Sequence, residues 1–246
     1  MDITYDLNLV IFSAIIAIAA GYFTIEMSTE ITFNTGLERI IWLGISSLTM
    51  GMGIWGMHFI AMTAFSMGLE ISYNFPIVLL SLLAAIAGCA QGLFIITQPY
   101  VNNLTLIAGA VTMGSAIAGM HYIGMAAIRV AAKISYEPSL LILSIVIAIA
   151  VSLVAIKLVI TLRTAKNRQN QLSKKVFSSL LMGGAVLSMH YTGMAAARFK
   201  IDSSIAIEKA NVLDNDLLGF CIALAIIGIF AMVYVVLFNS SINRSL

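Results

Sequence analysis

The 246 residues are 61% hydrophobic and only 10% charged, with a mean hydropathy of +1.02, a balance that excludes both a water-soluble surface and a disordered chain. Lys and Arg number 13 against 11 Asp and Glu, so the net charge of +2 gives no basic footprint for nucleic acid, and none is expected as a partner. The lipid bilayer is the expected surrounding, and unbroken apolar runs without alternation favour spanning helices over an outer-membrane barrel.

A helix needs about 20 apolar residues to cross the hydrocarbon core. Segments of that kind fall at 8–27, 40–62, 77–97, 104–128, 139–162, 176–198 and 217–238. The first is expected to stay in the mature chain, because the residues before it lack the basic start of a cleavable signal. Between the fifth and sixth segments lie Arg163, Lys166, Arg168, Lys174 and Lys175 with no acid, which places that connection in the cytoplasm. Seven spans then put the N-terminus outside and the C-terminus inside, with Asp2, Asp6, Glu70, Glu137, Asp202, Glu208, Asp214 and Asp216 on the outer side. A reporter fused after Leu246 should read cytoplasmic. Cys89 and Cys221 differ in depth by about 10 Å at 1.5 Å per residue, too far for a disulfide, and both are expected to be core cysteines rather than ligands.

An internal repeat is the informative feature. The segment from Met50 to Met62, through Met57 and His58, matches that from Met113 to Met125, through Met120 and His121. A third copy runs from Met182 to Met194 through Met189 and His190. The copies use all three histidines of the chain, with methionines eight residues before, one before and four after each. Spacings of 63 and 69 residues place them on the second, fourth and sixth spans, near the same outer ends. The architecture expected is an all-α polytopic membrane protein, with seven transmembrane helices built as three parallel helix-hairpin repeats plus one extra helix. The motif helices should surround a common axis, with the first, third and fifth outside them and the seventh peripheral. The whole chain, 1–246, reads as one unit.

A histidine inside a membrane is costly without a partner, and three at one depth point to a shared site. Duplication of a packing motif is the competing reading, since Gly51, Gly114 and Gly183 also suit close helix approach. Imidazole with thioether sulfur, and no carboxylate or thiolate beside it, favours copper, particularly copper(I). On a helix the residue four positions on lies one turn away on nearly the same face, so His58 with Met62, His121 with Met125 and His190 with Met194 can each grip an ion. Tyr122 and Tyr191 follow their histidines, whereas Phe59 takes that place in the first copy, and either a site role or an interfacial position suits the tyrosines. Arg129 and Arg198 are read as helix-end side chains reaching for the interface.

Met120-His121-Tyr122-Ile123 and Met189-His190-Tyr191-Thr192 resemble the signature of the MHYT domain, a bacterial integral-membrane sensor module, with Met57-His58-Phe59-Ile60 as a diverged copy. The resemblance runs from about residue 8 to 238. It implies copper held by Met57, His58, Met120, His121, Met189 and His190, with Tyr122 and Tyr191 as contributors. It also implies sensing of a diatomic gas, oxygen, carbon monoxide or nitric oxide, or of redox state, in the bacterial inner membrane. Family members often continue into a cyclic-di-GMP enzyme, a kinase or a DNA-binding domain, so a chain ending at Leu246 is expected to signal through a separate cytoplasmic partner.

No catalytic set can be assembled, so an enzyme is not expected. The seventh span lacks a lysine for retinal. Haem between two histidines is a lesser alternative to copper. The runner-up function is copper transport, which needs a second ligand set deeper in. With the motif methionines assigned to the outer site, few others remain for it, Met27, Met67 and Met232 among them, with the two cysteines, which favours sensing.

Overall fold

In the computed structural model, residues 3–98, 100–164, 171–202, 204–205 and 210–243 are described. Of the basic connection, Lys166 and Arg168 lie outside them, as do Asp2, Glu208 and Leu246. Each expected span is a helix: α1 (Leu7–Phe33), α2 (Gly36–Thr63), α3 (Phe75–Ile96), α4 (Asn103–Ala126), α5 (Pro138–Thr164), α6 (Gln171–Ala196) and α7 (Asn215–Asn243). Six of them, α1 to α5 and α7, are long and apolar enough to cross a membrane. The exception is α6, where Ser178, Ser179, Gly183, Gly184, Ser188 and Thr192 dilute an apolar helix of 26 residues.

The helices do not form the inner and outer trios expected. Consecutive helices from α1 to α6 pack against one another, and α1 also packs against α6, so the six close a ring. The motif helices α2, α4 and α6 make only slight contact with one another. The reason is the small residues at the start of each motif. A Cβ on Gly51 would lie 2.8 Å from Ile86 Cα on α3, and one on Gly114 2.5 Å from Ile149 Cα on α5. One on Gly183 would lie 3.1 Å from Ile18 Cα on α1. These glycines draw the odd-numbered helices in between the motif helices instead of leaving them outside. α7 lies peripherally, mainly against α2, as expected of the span without a motif.

Short strands, not anticipated in an all-α reading, close the histidine end. They are β1 (Thr4–Tyr5), β2 (Phe65–Ser66), β3 (Ser72–Asn74), β4 (Ile128–Arg129), β5 (Ala132–Tyr136), β6 (Ala197–Ile201) and β7 (Val212–Asp214). Within each repeat the strand before the hairpin pairs antiparallel with the strand after it, β1 with β2, β3 with β4 and β5 with β6. β7 adds to the other edge of β3. The repeat is therefore strand, helix, helix, strand. Three equivalent backbone bonds fasten it, from the N–H groups of Asp6, Asn74 and Glu137 to the carbonyls of Ala64, Ala127 and Ala196, at 2.9, 2.8 and 2.8 Å.

The same three residues cap the helices that follow. Asp6 accepts from the N–H of Asn8 and Leu9, Asn74 from that of Ile77, and Glu137 from those of Ser139 and Leu140. Such caps satisfy donors that a helix start leaves open. The Ser139 hydroxyl, with the Leu140 and Ser139 N–H groups, holds the Glu137 carboxyl below the usual glutamate range. α4 and α6 end slightly before their expected limits, and Arg129, in β4, turns its guanidinium back onto the Ala126 and Ile128 carbonyls at 3.0 Å. That arrangement places a cation on the helix C-terminus.

Leu79, Leu80, Leu83, Ile142, Val146 and Leu224 are exposed on the outside of the bundle, where hydrocarbon would cover them. Buried hydroxyls are largely satisfied within their own helices: Thr24, Ser47 and Thr49 each donate to the carbonyl four residues back. Cys89 is buried, Cys221 is exposed, and both are free.

Candidate metal centre

Each motif histidine sits just over one turn from the C-terminal end of its helix, at the strand-capped end of the bundle. All three are 0% exposed. His58 Nδ1 lies 3.0 Å from His190 Nδ1 and 3.2 Å from His121 Nδ1. The rings meet edge to face, with centroids 4.9 to 5.3 Å apart. This cluster is the one geometric expectation on which a shared site depended.

The opposite face of each ring explains its placement. A Cβ on Gly124 of α4 would lie 2.5 Å from His58 Nε2, and one on Gly193 of α6 would collide with His121 Nε2. Both glycines stand three residues after a motif histidine, so each repeat makes room for the imidazole of the repeat before it. In the first repeat that position is Ala61, which makes the threefold relation imperfect. His58 and His121 press against these backbones, and the three Nε2 atoms are buried with no hydrogen-bond partner.

That arrangement tests whether the residues fit an ion. Two imidazole nitrogens each about 2 Å from one metal are separated by at most about 4 Å. The 3.0 and 3.2 Å separations from His58 fall inside that limit, and all three ligand atoms lie within 4.8 Å of one another. Without an ion the inward lone pairs are badly served. Each neutral imidazole carries one N–H, a single lone pair accepts two donors poorly, and an unpaired buried polar group costs about 1–3 kcal/mol. A shared electron-pair acceptor satisfies all three Nδ1 atoms together. Among the described residues the cluster holds neither carboxylate nor thiolate.

The methionines next to the histidines are buried as well. Met57, Met120 and Met189 are at most 1% exposed, and Met62, Met125 and Met194 at most 6%. They share the motif helices with the imidazoles, one residue before and four after each. Phe59, Tyr122 and Tyr191 lie edge-on to the preceding histidine, at centroid distances of 4.8, 4.8 and 4.9 Å. Phenylalanine makes the same contact as tyrosine, so the ring is what the position requires. The Tyr122 hydroxyl is 2.6 Å from Ser144 Oγ on α5, away from the nitrogen cluster.

Three aromatic residues missed in the sequence complete the surroundings. Tyr5, Tyr73 and Tyr136 stand directly before the capping residues, 68 and 63 residues apart. Each packs on the aromatic that follows a histidine in another repeat: Tyr5 on Tyr191 (5.9 Å), Tyr73 on Phe59 (5.8 Å) and Tyr136 on Tyr122 (5.3 Å). The signal was present as a tyrosine followed by Asp, Asn or Glu just ahead of the first, third and fifth spans. Burial pushes the Tyr136 phenol up to about 12, with Tyr122 adding to the effect, and raises that of Tyr73 as well.

No solved structure matches the chain. Among curated proteins, signaling protein YkoW of Bacillus subtilis is 40% identical over 202 residues, which cover 82% of this chain and 25% of YkoW. The bifunctional diguanylate cyclase/cyclic di-GMP phosphodiesterase MucR of Pseudomonas aeruginosa is 37% identical over 233 residues, 95% of this chain and 34% of MucR. The cyclic di-GMP phosphodiesterase NbdA of the same organism is 35% identical over 217 residues, 88% of this chain and 28% of NbdA. The chain thus spans a quarter to a third of the length of these relatives. A family model described as the bacterial signalling protein N-terminal repeat, MHYT, matches residues 51–109, 114–169 and 183–244, and with three repeats matched over most of its length the chain belongs to the MHYT family.

Proposed function

We propose that the chain is a copper-dependent sensor module of the bacterial inner membrane, with the histidine end outside. His58, His121 and His190 hold one copper(I) ion through Nδ1. Met57, Met62, Met120, Met125, Met189 and Met194 supply the soft, water-free shell and further sulfur ligands. The observation that carries this reading is the meeting of three buried Nδ1 atoms at 3.0 and 3.2 Å with no acid among them. Neutral nitrogen and sulfur donors suit a soft monovalent ion better than zinc, calcium or magnesium. A porphyrin between two of these rings would need their nitrogens about 4 Å apart on opposite sides of the iron, which disfavours haem.

Copper there would supply an electron-rich centre able to take a diatomic ligand or to report redox state. The protein's own part is to fix the three nitrogens with Gly124 and Gly193, to exclude water with Tyr5, Tyr73 and Tyr136, and to couple the site to three repeats at once. Oxygen, carbon monoxide and nitric oxide are the signals of the right size and chemistry. Relatives named for cyclic di-GMP synthesis and breakdown support an output of that kind, or a kinase, on the cytoplasmic side. Tyr122 and Tyr191 act through ring contact with their histidines.

The test is the copper content of detergent-purified protein. Wild type should hold copper at the histidine site, and the triple variant His58→Ala, His121→Ala, His190→Ala should lose that ion while keeping its helical circular dichroism. Unchanged copper content in a folded triple variant overturns the reading and leaves packing as the role of the motif.

A further inference from the structure

The methionines eight residues before each histidine do not belong to the histidine cluster. Eight helical residues advance about 12 Å, so Met50, Met113 and Met182 form a separate layer near the middle of their helices. All three line one small internal cavity of about 20 Å³, to which each of the six ring helices contributes. Opposite the methionines stand Thr24, Gly92 and Ala155, spaced 68 and 63 residues apart like Tyr5, Tyr73 and Tyr136, and therefore equivalent positions of the three repeats. The cavity lies on the pseudo-threefold axis, with a ring of sulfur-bearing side chains facing a ring of small ones.

Two comparisons within the chain argue that sulfur, and not bulk, is what the layer supplies. Four residues nearer the histidines the same helices place Ile54, Ile117 and Val186, all buried, where packing alone is needed. At the cavity all three repeats use methionine. Gly92 also makes room for a sulfur atom: a Cβ there would lie 2.7 Å from Met113 Sδ. The rest of the lining is hydrocarbon, apart from Thr24, whose hydroxyl is turned back onto the Ala20 carbonyl at 2.7 Å. A hard cation finds no oxygen ligand set there, whereas thioether ligands select a soft monovalent one.

We infer that Met50, Met113 and Met182 form a second soft-metal site, a trithioether site for copper(I)-class ions, inward of the histidines and independent of them. It provides the deeper ligand set that the methionine count from sequence had denied, because the motif methionines divide into two layers. The inference stands on the cavity and its lining, so it survives if the histidine reading fails.

Silver(I), a redox-inert stand-in for copper(I), is the probe, titrated into the purified full chain in detergent against a chromophoric chelator. The variant Met50→Leu, Met113→Leu, Met182→Leu keeps side-chain volume and should lose one tightly held silver ion per chain. The triple histidine-to-alanine variant should retain that ion. Uptake by the leucine variant equal to wild type in number and affinity overturns the proposal, and so does loss of every ion in a folded histidine variant. Should the triple leucine variant fail to fold, Met113→Leu alone should weaken the inner site more than tenfold, and unchanged affinity there overturns it equally.

Discussion

Replacing Gly124 by alanine adds one methyl group at the back of the His58 ring, and the structure sets the size of the effect. The new Cβ lies 2.5 Å from His58 Nε2 and 2.9 Å from Cδ2. An unstrained carbon–nitrogen contact is roughly 3.5 Å, so the ring or α4 must retreat by about 1 Å. Metal ligation tolerates about 0.2 Å. The ring has little room on its other side, where Nδ1 already lies 3.0 and 3.2 Å from two further nitrogens. Supporting-residue changes around metal ligands cost about 10–100-fold in affinity, or about 1.4–2.7 kcal/mol, and Gly124→Ala should fall in that range. The assay is competition for copper(I) at the histidine site with a chromophoric chelator, alongside far-ultraviolet circular dichroism. Gly119→Ala on the same helix is the control, because its Cβ would meet nothing within 4 Å. If Gly124→Ala and Gly119→Ala bind copper alike, with helicity intact, Gly124 does not set the imidazole position and the account of the cluster is wrong.

Gly114→Ala places a Cβ 2.5 Å from Ile149 Cα and should destabilise the α4–α5 contact by about 1–3 kcal/mol, read as a lower midpoint in a detergent unfolding titration; an unchanged midpoint would contradict the close packing. Tyr136 should ionise at about 12 instead of 10.0. Because folding raises this pKa, the associated stability is whole below pH 10 and is lost as pH climbs through about 12. The tyrosinate absorbance missing from Tyr136→Phe should therefore be a step near the higher value, and a step at the ordinary one refutes the burial.

The helices were readable because each needs only its own apolar run, and the histidine cluster because 63- and 69-residue spacings put three rings at one depth on parallel helices. The ring arrangement was not, since burial alone favours bringing motif helices inward. What decides against it is contact between Gly51 and Gly114 and the backbone of the next span, Ile86 and Ile149, and between Gly183 and Ile18 at the other end of the sequence. The strands escaped for a related reason. Thr4–Tyr5 and Phe65–Ser66 are two residues each, too short for any local pattern, and exist through pairing across an entire hairpin. Tyr5, Tyr73 and Tyr136 were missed because their partners, Tyr191, Phe59 and Tyr122, lie in neighbouring repeats.

The closure of the ring by α1 has a mechanical consequence. Five of the six joints between neighbouring helices are also continuous chain, whereas α1 and α6 meet with no connecting segment. The ring is a split washer. Across the split stand the close Gly183–Ile18 approach and a 2.8 Å ion pair from Lys175 to Glu26, non-covalent contacts without a connecting loop. Widening the bundle is therefore cheapest there, since no loop has to stretch, and His190 is carried on the α6 lip while His58 and His121 stay on the unbroken arc. A stronger or weaker pull among the three nitrogens would be met first at that lip, because it alone is held to its neighbour without a connecting segment. α7 follows α6 in the chain and lies back across α2 and α1, so the last helix rests on the opposite side of the split from the one it leaves.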